Sequence, residues 1–118
     1  MCKAKSALRS QPEAVRRACA FLEKARLLAK KAGVEVEGAY LVGSRARGDY
    51  LEDSDVDVVL IVRGVEGLDA LRRMELFTEA LEPGVEFFVY TPEEWAGGGL
   101  WMAQLRREAV PLHCASLQ

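Results

Sequence analysis

Apolar residues recur at helical spacing over residues 12–32, where Val15, Ala18, Cys19, Leu22, Ala25 and Ala29 make one stripe. Arg16, Arg17, Lys24 and Arg26 fall largely off that stripe, which predicts an amphipathic helix with a solvated charged face. Pro12 suits its first turn, Lys30 and Lys31 complement its C-terminal dipole, and Gly33 ends it. Residues 36–42 read as a strand running into Gly43-Ser44, with Ser44 the expected N-cap of a short helix that stops near Arg47 or Gly48. A polar, turn-like connector over residues 49–54 leads to a second strand, residues 55–62, whose continuous Val/Ile/Leu run predicts burial on both faces. Helical spacing returns over residues 68–81 through Leu68, Leu71, Met74, Phe77, Ala80 and Leu81, and Pro83-Gly84 stops it. Residues 85–90 make a third strand. Thr91-Pro92-Glu93-Glu94 then carries a capping box that opens a further helix, broken at the three glycines 97–99. A second helical stretch through about Glu108 precedes a short final strand within residues 110–114.

This order predicts an α/β (α+β) fold: a single small domain over residues 12–118 with a mixed β-sheet and helices packed on it, after an N-terminal segment 1–11. A chain of 118 residues with 50% hydrophobic content fits one core and leaves no room for a second domain. Charged residues make up 29% of the chain and the net charge is −2, so neither a disordered chain nor a direct nucleic-acid binder is expected. The three cysteines, Cys2, Cys19 and Cys114, are scattered and lack metal-ligand spacing, which predicts reduced thiols instead of a disulfide or a zinc site. No apolar run approaches the ~18 residues of a membrane span and the N-terminus lacks a signal-peptide core, so a cytoplasmic location is expected. The absence of asparagine and the presence of only three glutamines suit a thermophilic source.

The chemistry concentrates in Gly43-Ser44-Arg45-Ala46-Arg47-Gly48, followed by Asp55-Val56-Asp57 at the mouth of the second strand. Strand alternation puts Asp55 and Asp57 on one face with Cα atoms about 6.6–6.8 Å apart, close enough for both carboxylates to share divalent ions, and magnesium prefers such hard oxygen ligands. Paired carboxylates repel and resist ionisation without a cation, so surface aspartates beside a capped turn would give little reason for the pair. Gly43 permits close backbone approach, while Ser44 offers a hydroxyl and helix-start N–H groups to a triphosphate. Of Arg45 and Arg47, one guanidinium can balance the charge of the phosphates or of departing pyrophosphate, and the other is simply solvated. Glu86, on the face of the third strand shared with Phe88 and Tyr90, is the candidate for a third metal-facing carboxylate and base; otherwise it is a strand-start acid reaching water. Asp49, Glu52 and Asp53 read as solvated or capping, Ser54 as a turn former or a carboxylate partner, and His113 as a packed or exposed residue. Trp95 and Trp101 read as core or partner-contact residues and not as a base-stacking platform.

The spacing Gly43-Ser44, ten residues, Asp55-x-Asp57, within the run GSRARGDYLEDSDVDVVLIV, resembles the minimal nucleotidyltransferases of the DNA polymerase beta-like superfamily. The order of elements and the third strand GVEFFVYTPEEW extend the resemblance over most of residues 34–96. It implies the polymerase-beta-like nucleotidyltransferase fold, a triphosphate on Gly43 and Ser44, and two Mg2+ ions on Asp55 and Asp57, with ATP as donor. The family usually has an aspartate where Glu86 stands, so this chain carries one additional methylene there. Freestanding members of this size resemble the antitoxin of HEPN/MNT toxin–antitoxin pairs, which implies transfer of AMP to a tyrosine of a HEPN ribonuclease toxin. Without an acceptor-recognition domain, the acceptor is expected on a protein partner or on another protomer of a homo-oligomer. Transfer to a small molecule or to RNA, or a non-catalytic antitoxin that binds its toxin by contact alone, are the alternatives.

Overall fold

The fold is seen in a computed structural model that describes residues 10–114. Helix α1 (Gln11–Ala32) begins where the Ser10 side chain accepts the Glu13 N–H, carries Pro12 in its first turn and ends at Gly33 with φ 79°. Its buried side is mostly small: Ala14, Ala18, Ala25 and Ala29 flank Phe21 and Leu22, so the helix lies close on the sheet while Phe21 fills the gap against Phe87. Four strands, β1 (Glu35–Val42), β2 (Val56–Arg63), β3 (Val85–Tyr90) and β4 (Val110–Pro111), form one sheet in the order β3-β2-β1-β4. β1 runs antiparallel to both β2 and β4, whereas β2 and β3 are parallel. The mixed sheet expected from the sequence is therefore present.

The central strand β2 explains the layering. Val56, Val58, Leu60 and Val62 point to α1 and to α3 (Ala70–Phe77), which continues as a short 3-10 turn (Thr78–Ala80). Val59 and Ile61 point the other way, where Met102 and Leu105 of α5 (Gly99–Glu108) cover them together with Val42. Burial on both faces follows the continuous apolar run. Trp95 in α4 (Pro92–Ala96) stacks on Tyr40 and Tyr90 on this second face, with ring centroids 5.2 and 6.5 Å away. The capping box of α4 forms as its sequence predicts, and Glu94 also pairs with the buried Arg73 of α3. That guanidinium, more than any other group, holds the Glu94 carboxyl below its ordinary pKa.

Several expectations are corrected. Gly43, not Ser44, caps α2 (Ser44–Arg47), because its φ of 78° and ψ of −159° turn the chain from strand to helix and leave Ser44 as the first helical residue. The helix predicted over residues 68–81 is shorter, since Asp69 caps it by accepting the Arg72 N–H and the ladder tightens to 3-10 at Thr78. The cysteines are not all thiols: Cys19 and Cys114 form a disulfide across 95 residues, with Cα atoms 5.5 Å apart. Leu112 donates its N–H to the Ala39 carbonyl after β4, which returns the chain end to the face covered by α1 and puts Cys114 beside Cys19. Scattered spacing concealed a pairing that the topology creates. Cys2 and most of segment 1–11 lie outside the described residues. Among the described residues no helix is long and apolar enough to cross a membrane.

Candidate active site

The strand ends bring the acidic residues together. Antiparallel pairing sets Val42, the last residue of β1, opposite Asp57, and parallel pairing sets Asp57 opposite Glu86. Asp57 and Glu86 thus occupy neighbouring positions on the sheet face that carries α5, just beyond the edge of its apolar cover. Asp55 precedes β2 and is exposed, and it lies near enough to Glu86 for its charge to raise that carboxyl's affinity for protons. Partial burial, and then the charges of Glu86, Asp55 and Glu108, push the Asp57 carboxyl up to about 6. Glu86 is raised as well, first by desolvation and then by Asp55. Among the described residues no three acidic, histidine or cysteine side chains already close into a metal-ligating group. The donor set nevertheless fits a divalent cation: hard carboxylate oxygens on a rigid strand, in a mutual repulsion that a cation would relieve. Asp55, Asp57 and Glu86 are the residues that could hold it.

Gly43 lies directly on this cluster. A Cβ built on it would stand 2.5 Å from Asp57 Oδ2, so a side chain at this positive-φ position would be strained and would push the carboxylate off the turn. The Gly43 carbonyl accepts the N–H groups of Ala46 and Arg47, both at 3.0 Å, and Gly48 closes the single turn of α2 with φ 95°. Ser44 opens that turn and is partly exposed.

The two arginines of α2 separate completely. Arg47 is half exposed and reaches the cleft, where Nη1 donates to Glu108 Oε1 at 3.1 Å and Nε to Asp49 Oδ2 at 3.2 Å. Arg45 is only 2% exposed and turns the opposite way. It donates to the carbonyls of Ser54 and Glu52 at 3.1–3.2 Å and to Gln11 Oε1 at 3.3 Å, with its guanidinium 4.3 Å from the Tyr50 ring centre. Of the two guanidiniums offered to the nucleotide, Arg47 is thus the one at the cleft, and Arg45 is neither there nor solvated but buried. Its charge organises the connector that delivers Asp55, because residues two apart on one helical turn point to nearly opposite sides. Ser54 makes a turn, accepting the Leu51 N–H at 2.8 Å.

A cleft of about 300 Å³ lies between the turn and α5. Gly43, Arg47, Asp57 and Glu108 make its polar side, and Val42, Phe88, Trp101 and Leu105 its apolar wall. Trp95 belongs to the packed second face, but Trp101 is 64% exposed and lines this cleft. Glu108 escapes notice in the sequence, where it only ends a helix. The available signal was its position three residues after Leu105 and six after Met102, which places a carboxylate on the buried stripe of α5.

With this geometry established, the comparisons with known proteins agree. No functionally curated protein matches the chain in sequence. In structure it is similar to a crystal structure of a candidate nucleotidyltransferase from Sulfolobus solfataricus, with 28% identity, a TM-score of 0.69, and coverage of 94% of this chain and 89% of that one. The family model of the nucleotidyltransferase domain matches residues 22–107, from the middle of α1 to the last turn of α5, just short of Glu108. The chain therefore belongs to the nucleotidyltransferase domain family.

Proposed function

We propose that the protein transfers AMP from ATP to a hydroxyl of a protein partner, a tyrosine of a HEPN-type ribonuclease toxin, and acts as the antitoxin that silences it. The observation that carries the reading is the registration of Asp57 with Glu86 under the Gly43 turn, at the edge of a cleft that Gly43, Asp57 and Arg47 line. Asp55 and Asp57, with Glu86, would hold two Mg2+ ions, which when bound supply charge neutralisation for the triphosphate and polarise the reacting oxygens. Gly43 and Ser44 bind the phosphates, and Arg47 balances the charge that gathers on the leaving pyrophosphate. The acceptor oxygen attacks the α-phosphorus, the bond to the bridging oxygen of pyrophosphate breaks, and Glu86 takes the hydroxyl proton.

A macromolecular acceptor is supported by the surface beside the cleft, where Phe88, Leu100 and Trp101 are 39%, 91% and 64% exposed. The test is to incubate the protein with the product of its neighbouring gene, ATP and Mg2+, and to weigh both chains. Whole adenylyl units appear on the partner and vanish with Asp55→Ala/Asp57→Ala. A partner that is neutralised yet unmodified overturns the transfer reading in favour of neutralisation by contact.

A further inference from the structure

Glu108 ends α5 at the wall of the cleft. Its side chain is 10% exposed, and each carboxylate oxygen has a separate task. Oε2 accepts the Gly43 N–H at 2.6 Å, and Oε1 accepts from Arg47 Nη1 at 3.1 Å. The two donors lie 65 and 61 residues away in sequence, on the turn that packs against Asp57 and on the arginine that lines the cleft. Leu105 and Met102, about one and two turns earlier on α5, anchor the helix to Val42, Val59 and Ile61. The carboxylate is therefore presented from a rigid element.

We infer that Glu108 is a positioning residue for nucleotidyl transfer, clamping the Gly43 peptide and the Arg47 guanidinium in one arrangement against Asp57. A carboxylate is the side chain suited to the task, because both of its oxygens accept and an amide has only one accepting oxygen. The negative charge also sets a sign. It stands at the wall of a cleft meant for a polyanion, so it opposes ground-state binding of a triphosphate while fixing the groups that act on it. Its benefit must then appear in the rate of transfer and not in donor affinity.

The inference rests on the nucleotide-donor part of the proposed reading and is independent of the acceptor. The experiment uses the whole chain as wild type, Glu108→Gln and Glu108→Asp. It measures MgATP affinity and stoichiometry by calorimetry, pyrophosphate release from MgATP with water as acceptor, and thermal unfolding. Glu108→Gln is expected to fold, to bind one MgATP per chain as tightly as wild type or up to about tenfold tighter, and to release pyrophosphate at least about thirtyfold more slowly. Glu108→Asp, which keeps both accepting oxygens on a shorter stem, recovers part of the rate. A wild-type rate in Glu108→Gln overturns the inference, and so does a rate loss matched by a loss of MgATP bound per chain, which would mark a merely structural role. Binding of MgATP by the wild type without pyrophosphate release overturns it as well. If the wild type binds no MgATP, the donor reading itself fails and the role of Glu108 falls with it.

Discussion

Replacing Gly43 by alanine is the most exacting test of how the turn and the carboxylates are joined. Two costs add. The backbone there, φ 78° and ψ −159°, is a region that residues with a Cβ occupy only at about 1–3 kcal/mol. The new methyl would also stand 2.5 Å from Asp57 Oδ2, so carboxylate and turn must part by roughly 1 Å to reach ordinary contact. A shift of that size in a reacting group costs on the order of 100-fold in rate. Gly48→Ala is the internal control, because Gly48 also has positive φ, 95°, but a Cβ there meets nothing within 4 Å. Both variants should lose about 1–3 kcal/mol of stability, which is roughly 5–15 °C in melting temperature for a chain of this size. Only Gly43→Ala should also weaken Mn2+ binding, read by electron paramagnetic resonance, by about tenfold and cut pyrophosphate release by about 100-fold. Equal Mn2+ affinity and equal rates in the two variants would refute the claim that Gly43 is required by Asp57.

Other consequences follow from the carboxylates and the arginines. The Asp57 carboxyl, at about 6 in the folded protein, binds its proton more tightly than in the unfolded chain, where 3.8 applies, so it withdraws stability as pH rises through that interval. Asp57→Asn is therefore expected to melt higher than wild type at pH 7.5 and to lose that advantage near pH 4, while Mg2+ raises the melting temperature of the wild type and not of the variant. A constant difference across the pH range would contradict it. Arg45→Met should cost about 2–4 kcal/mol by unpairing the connector carbonyls, whereas Arg47→Met, at a half-exposed side chain, should destabilise far less yet slow transfer. Chemical denaturation of the two variants distinguishes these roles, and equal losses would show that the arginines are not divided as described.

Much of the fold is legible in the sequence. The β3 strand Val85–Tyr90, the capping box at Thr91 and Glu94, and the break at the three glycines follow from local rules, and local rules are what a sequence displays. The meeting of Asp57 with Glu86 was readable only as an alternation of faces, since their register depends on how α3 returns the chain alongside β2. Which arginine enters the cleft was not readable at all. Arg45 and Arg47 differ by the path of the connector, and that path is fixed by carbonyls that carry no side-chain signature. Gly43 replaced Ser44 as the cap because contact with Asp57, a tertiary demand, outweighed the usual preference for a hydroxyl there. Glu108 shows in the sequence only as the end of the α5 stripe, and the Cys19–Cys114 pairing depends on where the last strand leaves the chain, which composition does not encode.

The disulfide makes the nucleotide-handling part of the molecule a closed covalent ring. Every strand, the Gly43 turn, the Asp55 connector and α5 lie between Cys19 and Cys114, so one peptide cut anywhere among them opens the ring without releasing a fragment. The connector offers the natural place for such a cut, with Leu51 72% exposed at its tip. A protein nicked there would travel as one mass under oxidising conditions and as two under reducing ones. Its acidic cluster would still be held from both sides, by Gly43 on one piece and by β2 on the other.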